Sequence, residues 1–277
     1  MSGTVLDEII VGVRADMAAR MIRTTPSQLE AAIEQRGPTI DPRPHLRSAE
    51  SVRVIAEVKR SSPSKGALAE IPDPAAQARA YERGGAGAIS VLTEQRRFGG
   101  RLADLVAVRA GVEVPVLRKD FVVDPYQVLE ARAAGADLIL LIVAALDDAT
   151  LRELYDLATG LGLLPLVEVH TPDEARRAVD LGAELIGVNN RNLRTLDVDL
   201  AQFERLVGLI PDEAIRVCES GIGTVADVVR VHDAGADTVL VGEMLVRSGD
   251  PAAAVRAMME ATGRRPTGAR DGDGESR

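Results

Sequence analysis

The chain has 277 residues and a formal net charge of −9, with 46 % hydrophobic and 27 % charged residues. That is the balance of a globular protein long enough to bury a core without staples. The acidic charge argues against nucleic acid or an anionic membrane as a partner, because both attract basic surfaces. Trp is absent, and three Phe and three Tyr are too few for base-stacking platforms. The single cysteine, Cys218, excludes an internal disulfide and a multi-cysteine zinc site. Of 33 basic residues only three are lysine: Lys59, Lys65 and Lys119. Arginine stays charged near neutral pH, whereas a lysine amine is readily tuned by its surroundings, so these three positions are where chemistry is sought first.

In chain order, the N-terminus carries acids early and lacks a basic segment followed by an apolar one, so it does not read as a secretory signal. The longest apolar run, Leu138 to Leu146, is about half the length of a membrane span. A cytoplasmic protein is expected. Residues 1–50 are expected to form a helical extension, with helices over Val5–Met21 and Ser27–Gln35 and an extended link at Pro38, Pro42 and Pro44. Residues 51–263 repeat one pattern, a helix-like stretch closed by Gly and followed by a β-branched apolar run, as in ARAAGADLILLIV, AVDLGAELIGVNN and VHDAGADTVLVGE. The Gly suits the left-handed residue that ends a helix. The unalternating runs read as strands covered on both faces, hence parallel. Strands are predicted at 52–58, 87–93, 114–119, 137–143, 164–169, 184–190, 214–220 and 237–242, with helices between them such as Asp124–Ala134, Asp148–Gly160 and Thr224–Ala234. Asp-Pro and Thr-Pro pairs at 73–74, 124–125, 171–172 and 250–251 mark helix starts. The eight units imply an α/β fold, a (β/α)8 barrel with an N-terminal helical extension. An open doubly wound sheet lacks the GxGxxG that would follow its first strand. Residues 264–277 have no large apolar residue and read as a disordered tail.

Barrel active sites lie at the C-terminal ends of the strands. Glu57 and Lys59 end the first strand on one face. Lys119 ends the third, Glu168 and His170 the fifth, Asn189 and Arg191 the sixth, and Glu219, Ser220 and Gly221 the seventh. An ammonium inside a barrel needs a carboxylate partner. Glu57 and Glu168 are the candidates for Lys119, since alternate strands share an interior layer. ESGIGT after strand seven and VGEMLVRSGD after strand eight carry Gly221 and Gly242. Tight turns alone would explain either glycine, but the pair sits where barrels bind phosphate. SSPSKGA after strand one lacks the glycines of a Walker loop and reads as a loop able to close over a ligand. The three histidines are scattered, so no metal is expected. His170 could line the pocket rim, but its place before Thr171-Pro172 favours a helix start; Cys218 is assigned to an inert core position and RTLDVDL to an ordinary loop.

EVKRSSPSKG, LRKDF, LVEVHT, GVNNRNL, ESGI and VLVGEML occur in order, and over residues ~5–262 the chain resembles the indole-3-glycerol phosphate synthases. The resemblance implies a lyase of tryptophan biosynthesis without cofactor or metal. It would close the ring of 1-(2-carboxyphenylamino)-1-deoxyribulose 5-phosphate, decarboxylate it and dehydrate it to indole-3-glycerol phosphate. It implies that Lys119 is the general acid, its pKa lowered by burial, oriented by Glu168 and Glu57, which also assist dehydration. It implies further that Lys59 and Arg191 meet the substrate carboxylate, that Asn189 holds hydroxyl groups, and that Ser220 completes the catalytic set. Glu219 belongs to the binding residues. Ser62, Gly221, Gly242 and Glu243 would bind phosphate, Glu243 by its backbone N–H with its carboxylate turned away. Phe98, Phe121 and Leu240 would wall the aromatic ring. The partner is a small phosphorylated substrate, and a monomer is expected. The competing readings are a neighbouring phosphosugar isomerase barrel, which leaves EVKR and LRKDF unexplained, and a phosphate-binding barrel without catalysis.

Overall fold

The computed structural model describes residues 4–62, 66–68, 70–193 and 195–263. Lys65, the side chain of Ser62 and the tail 264–277 lie outside the described residues.

Eight parallel strands close into a barrel: β1 (Arg53–Val58), β2 (Ala88–Leu92), β3 (Val116–Lys119), β4 (Leu138–Ile142), β5 (Leu164–Val169), β6 (Leu185–Asn189), β7 (Ile215–Glu219) and β8 (Thr238–Val241). Closure sets Ile55 of β1 against Ala88 of β2 on one side and Leu240 of β8 on the other. Three helices precede β1: α1 (Val5–Arg23), α2 (Pro26–Glu34) and α3 (Arg43–Leu46). Between and after the strands come α4 (Pro74–Arg83), α5 (Leu102–Arg109), α6 (Pro125–Ala134), α7 (Asp148–Gly160), α8 (Pro172–Leu181), α9 (Ala201–Leu206), α10 (Val225–Asp233), α11 (Glu243–Val246) and α12 (Pro251–Thr262). The fold is a (β/α)8 barrel.

The punctuation seen in the sequence does what it should. Asp73, Asp124, Thr171 and Asp250 cap the next helix with their side chains, each ahead of a proline at the first helical position. Gly135 and Gly182 end α6 and α8 at φ +93° and +80°. The Asp of the repeated Gly-Ala-Asp has a task too. Asp137 accepts the N–H of Val116 at the start of β3, and Asp237 that of Arg216 at the start of β7, so the strand bottoms are pinned by side chains from the next unit.

Strand alternation sorts side chains into two cores. Val54, Ala56, Val167, Val169, Ile186 and Val188 face the helix ring. Ile55, Leu117, Leu138, Leu164, Leu166, Leu185, Ile215 and Val217 fill the barrel, together with Leu46 from α3. Leu46 is fully buried, and its carbonyl accepts the Thr238 hydroxyl of β8. A helical extension of this length before β1 would be expected to cover one end of the barrel. It serves both: α3 plugs the bottom, α2 lies on α6, where Leu29 meets Tyr126, and α1 reaches the top, where Val5, Leu6 and Ile9 line the cavity described below.

Candidate active site

A cavity of about 860 Å³ opens at the C-terminal ends of the strands. Glu57, Lys59, Phe98, Lys119, Phe121, Glu168, Asn189, Arg191, Glu219, Ser220, Gly221, Leu240, Gly242 and Glu243 all line it. The sequence reading therefore gathers one place from strand ends far apart in the chain.

The floor is a layer of four side chains from alternate strands: Glu57 (β1), Lys119 (β3), Glu168 (β5) and Glu219 (β7), all facing the cavity. The Lys119 ammonium lies 2.9 Å from Glu219 Oε2 and 3.4 Å from Glu168 Oε2. This corrects the expected pairing. Glu57 is instead 2.6 Å from Lys59, and the nearer partner of Lys119 is Glu219, which had been assigned to binding alone. Glu219 ends β7, the fourth odd strand of the same layer. Two glycines, Gly187 on β6 and Gly242 just after β8, make the room: a Cβ on Gly187 would strike Glu219 Oε1, and one on Gly242 would stand 2.6 Å from Glu57 Oε1.

The electrostatics bring a second correction. Burial alone lowers the pKa of Lys119, but the charges of Glu219, Glu168 and Glu57 outweigh it, and the net shift is upward. The magnitudes agree: desolvation of a fully buried amine is worth roughly 4–7 kcal/mol, and one carboxylate at ~3 Å returns about 5 at an effective dielectric of ~20. Lys119 is thus a firmly held ammonium, not a depressed amine. The two carboxyls divide. Glu168 is buried too, yet Lys119, His170 and Asn189 hold it below the usual carboxylate range. Burial pushes Glu219 up to about 7, with the Glu168 charge adding to the rise against the pull of Lys119. Glu219 is therefore the member that keeps a proton, and its Oε1 has no hydrogen-bond partner.

His170 was placed at a helix start. It does precede the Thr171 cap of α8, but its ring is 9 % exposed and points under the cavity, with Nε2 3.3 Å from Glu168 Oε1 and Nδ1 3.3 Å from Glu174 Oε2. Its spacing of two from Glu168 already put it on the inward face. Asn190 was also missed. It is buried, its amide donates to the carbonyls of Glu219 and Ser220, and its Oδ1 accepts the N–H of Phe203. It pins the turn in which Ser220 and Gly221 adopt φ +62° and +87°. Cys218 is buried and pushed up to about 12 by burial, an inert thiol as expected.

The walls are apolar on one side and polar on the other. Phe98 and Phe121 lie with ring centroids 6.1 Å apart, tilted by 39°, and Leu240 joins them on the lining. Glu94 holds the Phe98 loop by accepting the N–H groups of Arg96, Arg97 and Phe98. Opposite, Arg191 donates to the Leu196 carbonyl and bridges to Val198, so the RTLDVDL loop folds against the cavity rim. Glu243 begins α11 with its carboxylate 3.3 Å from Arg247, consistent with a side chain turned from any anion at Gly221 and Gly242. Behind Lys119, Arg118 is 1 % exposed and bonds Thr93, Asp120, Gln127 and Glu130, while Arg20 of α1 grips Glu130 from the other side. Among the described residues no group of three or more His, Cys, Asp or Glu side chains is placed to hold a metal ion.

A buried ammonium beside a proton-holding carboxyl, at the C-terminal mouth of a parallel barrel, is the equipment of an acid–base catalyst, and it sets the chain among the (β/α)8-barrel enzymes. Solved structures agree on the fold. A 3-hexulose-6-phosphate synthase aligns at TM-score 0.58 and 20 % identity, over 76 % of this chain and 99 % of that one. A thiamine phosphate pyrophosphorylase from Pyrococcus furiosus aligns at 0.57 and 17 %, over 76 % and 94 %. The family is given by sequence. The family model for indole-3-glycerol phosphate synthase matches residues 6–258. The indole-3-glycerol phosphate synthase of Nocardioides sp. is 62 % identical, over 92 % of this chain and 98 % of its own. That of Kineococcus radiotolerans is 58 % identical, over 93 % and 96 %. The chain belongs to the indole-3-glycerol phosphate synthase family.

Proposed function

We propose that this chain converts 1-(2-carboxyphenylamino)-1-deoxyribulose 5-phosphate to indole-3-glycerol phosphate, with loss of CO2 and water. The observation that carries the reading is the clustering of two lysines and three glutamates beside an aromatic pair in one cavity. The ring carbon is a weak nucleophile, so the carbonyl it attacks must receive a proton as the C–C bond forms. Lys119 supplies it. Its ammonium is stable while it faces carboxylates and gives up its proton as an alkoxide, far more basic than an amine, develops beside it. Glu219, 2.9 Å away, then returns a proton to the amine. Phe98, Phe121 and Leu240 stack the anthranilate ring, and Lys59 and Arg191 draw its carboxylate. Decarboxylation leaves the electron pair in the ring. Dehydration takes a proton onto the departing hydroxyl from the Lys119–Glu219 pair and removes one from the carbon beside nitrogen to Glu168, with Glu57 and Lys59 assisting, while Asn189 and Ser220 hold the ribulose hydroxyls.

The phosphate is placed over the N–H groups of Gly221, Gly242 and Glu243, with Ser62 closing from the loop after β1. We also propose that the enzyme works in the cytoplasm as a monomer; among the described residues no helix is long and apolar enough to cross a membrane. The test is direct. Adding the substrate to purified protein should produce indole fluorescence, read against little background because the chain has no Trp. Folded protein that gives no signal would sink the reading.

A further inference from the structure

Resting on the proposed reaction, one buried group in the molecule has no part assigned to it. Elimination of water needs neighbouring groups in opposite protonation states, one giving a proton to the departing hydroxyl and one taking the proton from the adjacent carbon. Two carboxyls of the same kind, both facing Lys119, do not divide these states by themselves, and their surroundings must do it. The surroundings differ: Asn189 and His170 both act on Glu168, and His170 is the one of the two that can carry a charge. Glu168 Oε1 faces the imidazole Nε2 of His170 at 3.3 Å, whereas Glu219 Oε1 faces the bare backbone of Gly187 and bonds nothing. The ring is anchored from behind: Glu174 Oε2 accepts the backbone N–H of His170 at 2.7 Å and stands 3.3 Å from Nδ1. Nε2 makes no hydrogen bond and meets Glu168 as a charge contact, and a carboxylate near each nitrogen favours the imidazolium.

We infer that His170, held by Glu174, is a positioning residue that keeps Glu168 ionised and so assigns the proton of the Glu168–Glu219 pair to Glu219. The charged and titratable groups that face it are Glu174 from α8, Glu168 from β5 and Glu219 from β7, with Lys119 of β3 lying beyond Glu168. The His170 pKa is raised: burial lowers it, and Glu174 and Glu168 more than compensate. During dehydration Glu168, kept as carboxylate, accepts the proton from the carbon beside nitrogen while the C–H electrons form the ring double bond. The proton that leaves with the hydroxyl comes from the Lys119–Glu219 pair. His170 itself touches no substrate atom.

The experiment combines a titration and a rate. In carboxyl-labelled protein followed by 13C NMR, wild type should show Glu168 ionised and Glu219 protonated near pH 6. In His170→Gln the two titrations should approach each other, Glu168 rising by about one pH unit. Unchanged titrations in folded His170→Gln overturn the inference, whatever the protein does with substrate. In turnover, the same variant should lose on the order of tenfold in kcat, with the acidic limb of the pH profile moved upward and KM little changed. A loss equal at every pH marks a structural role and overturns it. Glu174→Gln, at a partly exposed position, guards against misfolding. It should match wild type at low pH, where His170 is still charged, and match His170→Gln at high pH. Wild type that makes no indole defeats the proposed function instead, and the titration still decides the role of His170.

Discussion

Leu117 and Lys119, Leu166 and Glu168, and Val217 and Glu219 stand two positions apart on their strands. In each pair the first belongs to a closed apolar core and the second to an ionised cavity. The strands and the inward face are the same, and only the height along the barrel differs. At the bottom each side chain is stabilising by itself, since burying a Leu or Val contributes about 1.5–3 kcal/mol without any partner. At the top each charge at best offsets its own desolvation through a partner, so Lys119 has two carboxylates, Lys59 has Glu57, and Gly187 and Gly242 give up side chains to admit them. One end is built for stability and the other for charge. Substitutions at the two ends should therefore fail in different measurements.

The largest effect is expected at the top. Lys119→Met should lower kcat by roughly 10²–10⁴-fold, the range for a positioned acid. The melting transition should move little, because Glu168 and Glu219 can share a proton once the ammonium is gone. Indole fluorescence and a urea melt on the same sample separate the two, and a variant with full kcat would remove Lys119 from its role. At the bottom the pattern should invert. Leu46→Ala empties the plug of a fully buried site and should cost about 2–5 kcal/mol, with kcat and KM unchanged. A kinetic defect without a stability loss would show that the two ends are not separable.

A third test lies in pH. Glu219 has a folded pKa of about 7, above its ordinary value of 4.5. Between those values the folded protein keeps a proton that the unfolded chain has released. The corresponding stability is complete below about 4.5 and is lost as pH rises to about 7. The stability difference between wild type and Glu219→Gln should therefore decline across that window and level off above it, measured by urea unfolding at stepped pH. A difference that stays flat from pH 4 to 8 would mean that Glu219 holds no extra proton.

How much of this was legible follows from the range of each interaction. Strands and helix ends depend on neighbours in sequence, and Gly135, Gly182 and the Asp-Pro pairs announced them to within a residue or two. The scarcity of lysine pointed to Lys59 and Lys119. The pairing of Lys119 was half legible: alternation marks Glu219 as inward-facing on an odd strand, but which carboxylate comes nearest depends on shear and side-chain reach across the barrel. The sign of the Lys119 shift was lost with it, because one expected partner does not outweigh burial and several do. His170 reads as a helix start sooner than a pocket-rim residue because Thr171-Pro172 follows it, and its carboxylate partners, Glu168 and Glu174, are set by the fold. That the extension touches both ends could not be read from residues 1–50, since Leu46 and Ile9 carry no mark of what they meet.

The smallest effect should come from the part of the top that is held by exposed charges. Arg96 forks onto Asp16 of α1 at 2.7 and 2.8 Å, and its side chain lies against Gly12, where a Cβ would come within 3.0 Å. Arg97 reaches Glu8 about two turns earlier. These contacts seat α1 so that Val5, Leu6 and Ile9 complete the cavity wall beside Phe98. Both pairs are open to solvent, where water competes with the contact and salt screens it, so each holds only weakly. Arg96→Ala should therefore raise KM by a factor of a few and leave kcat alone, because α1 reaches the cavity wall and none of the groups on Lys119. Salt should mimic the substitution in wild type by screening the pair and add little in the variant. In a cycle with Asp16→Ala the double variant should be no worse than either single one. Additive losses would mean that Arg96 acts through its packing on Gly12, and that the top of the barrel is closed by shape instead of charge.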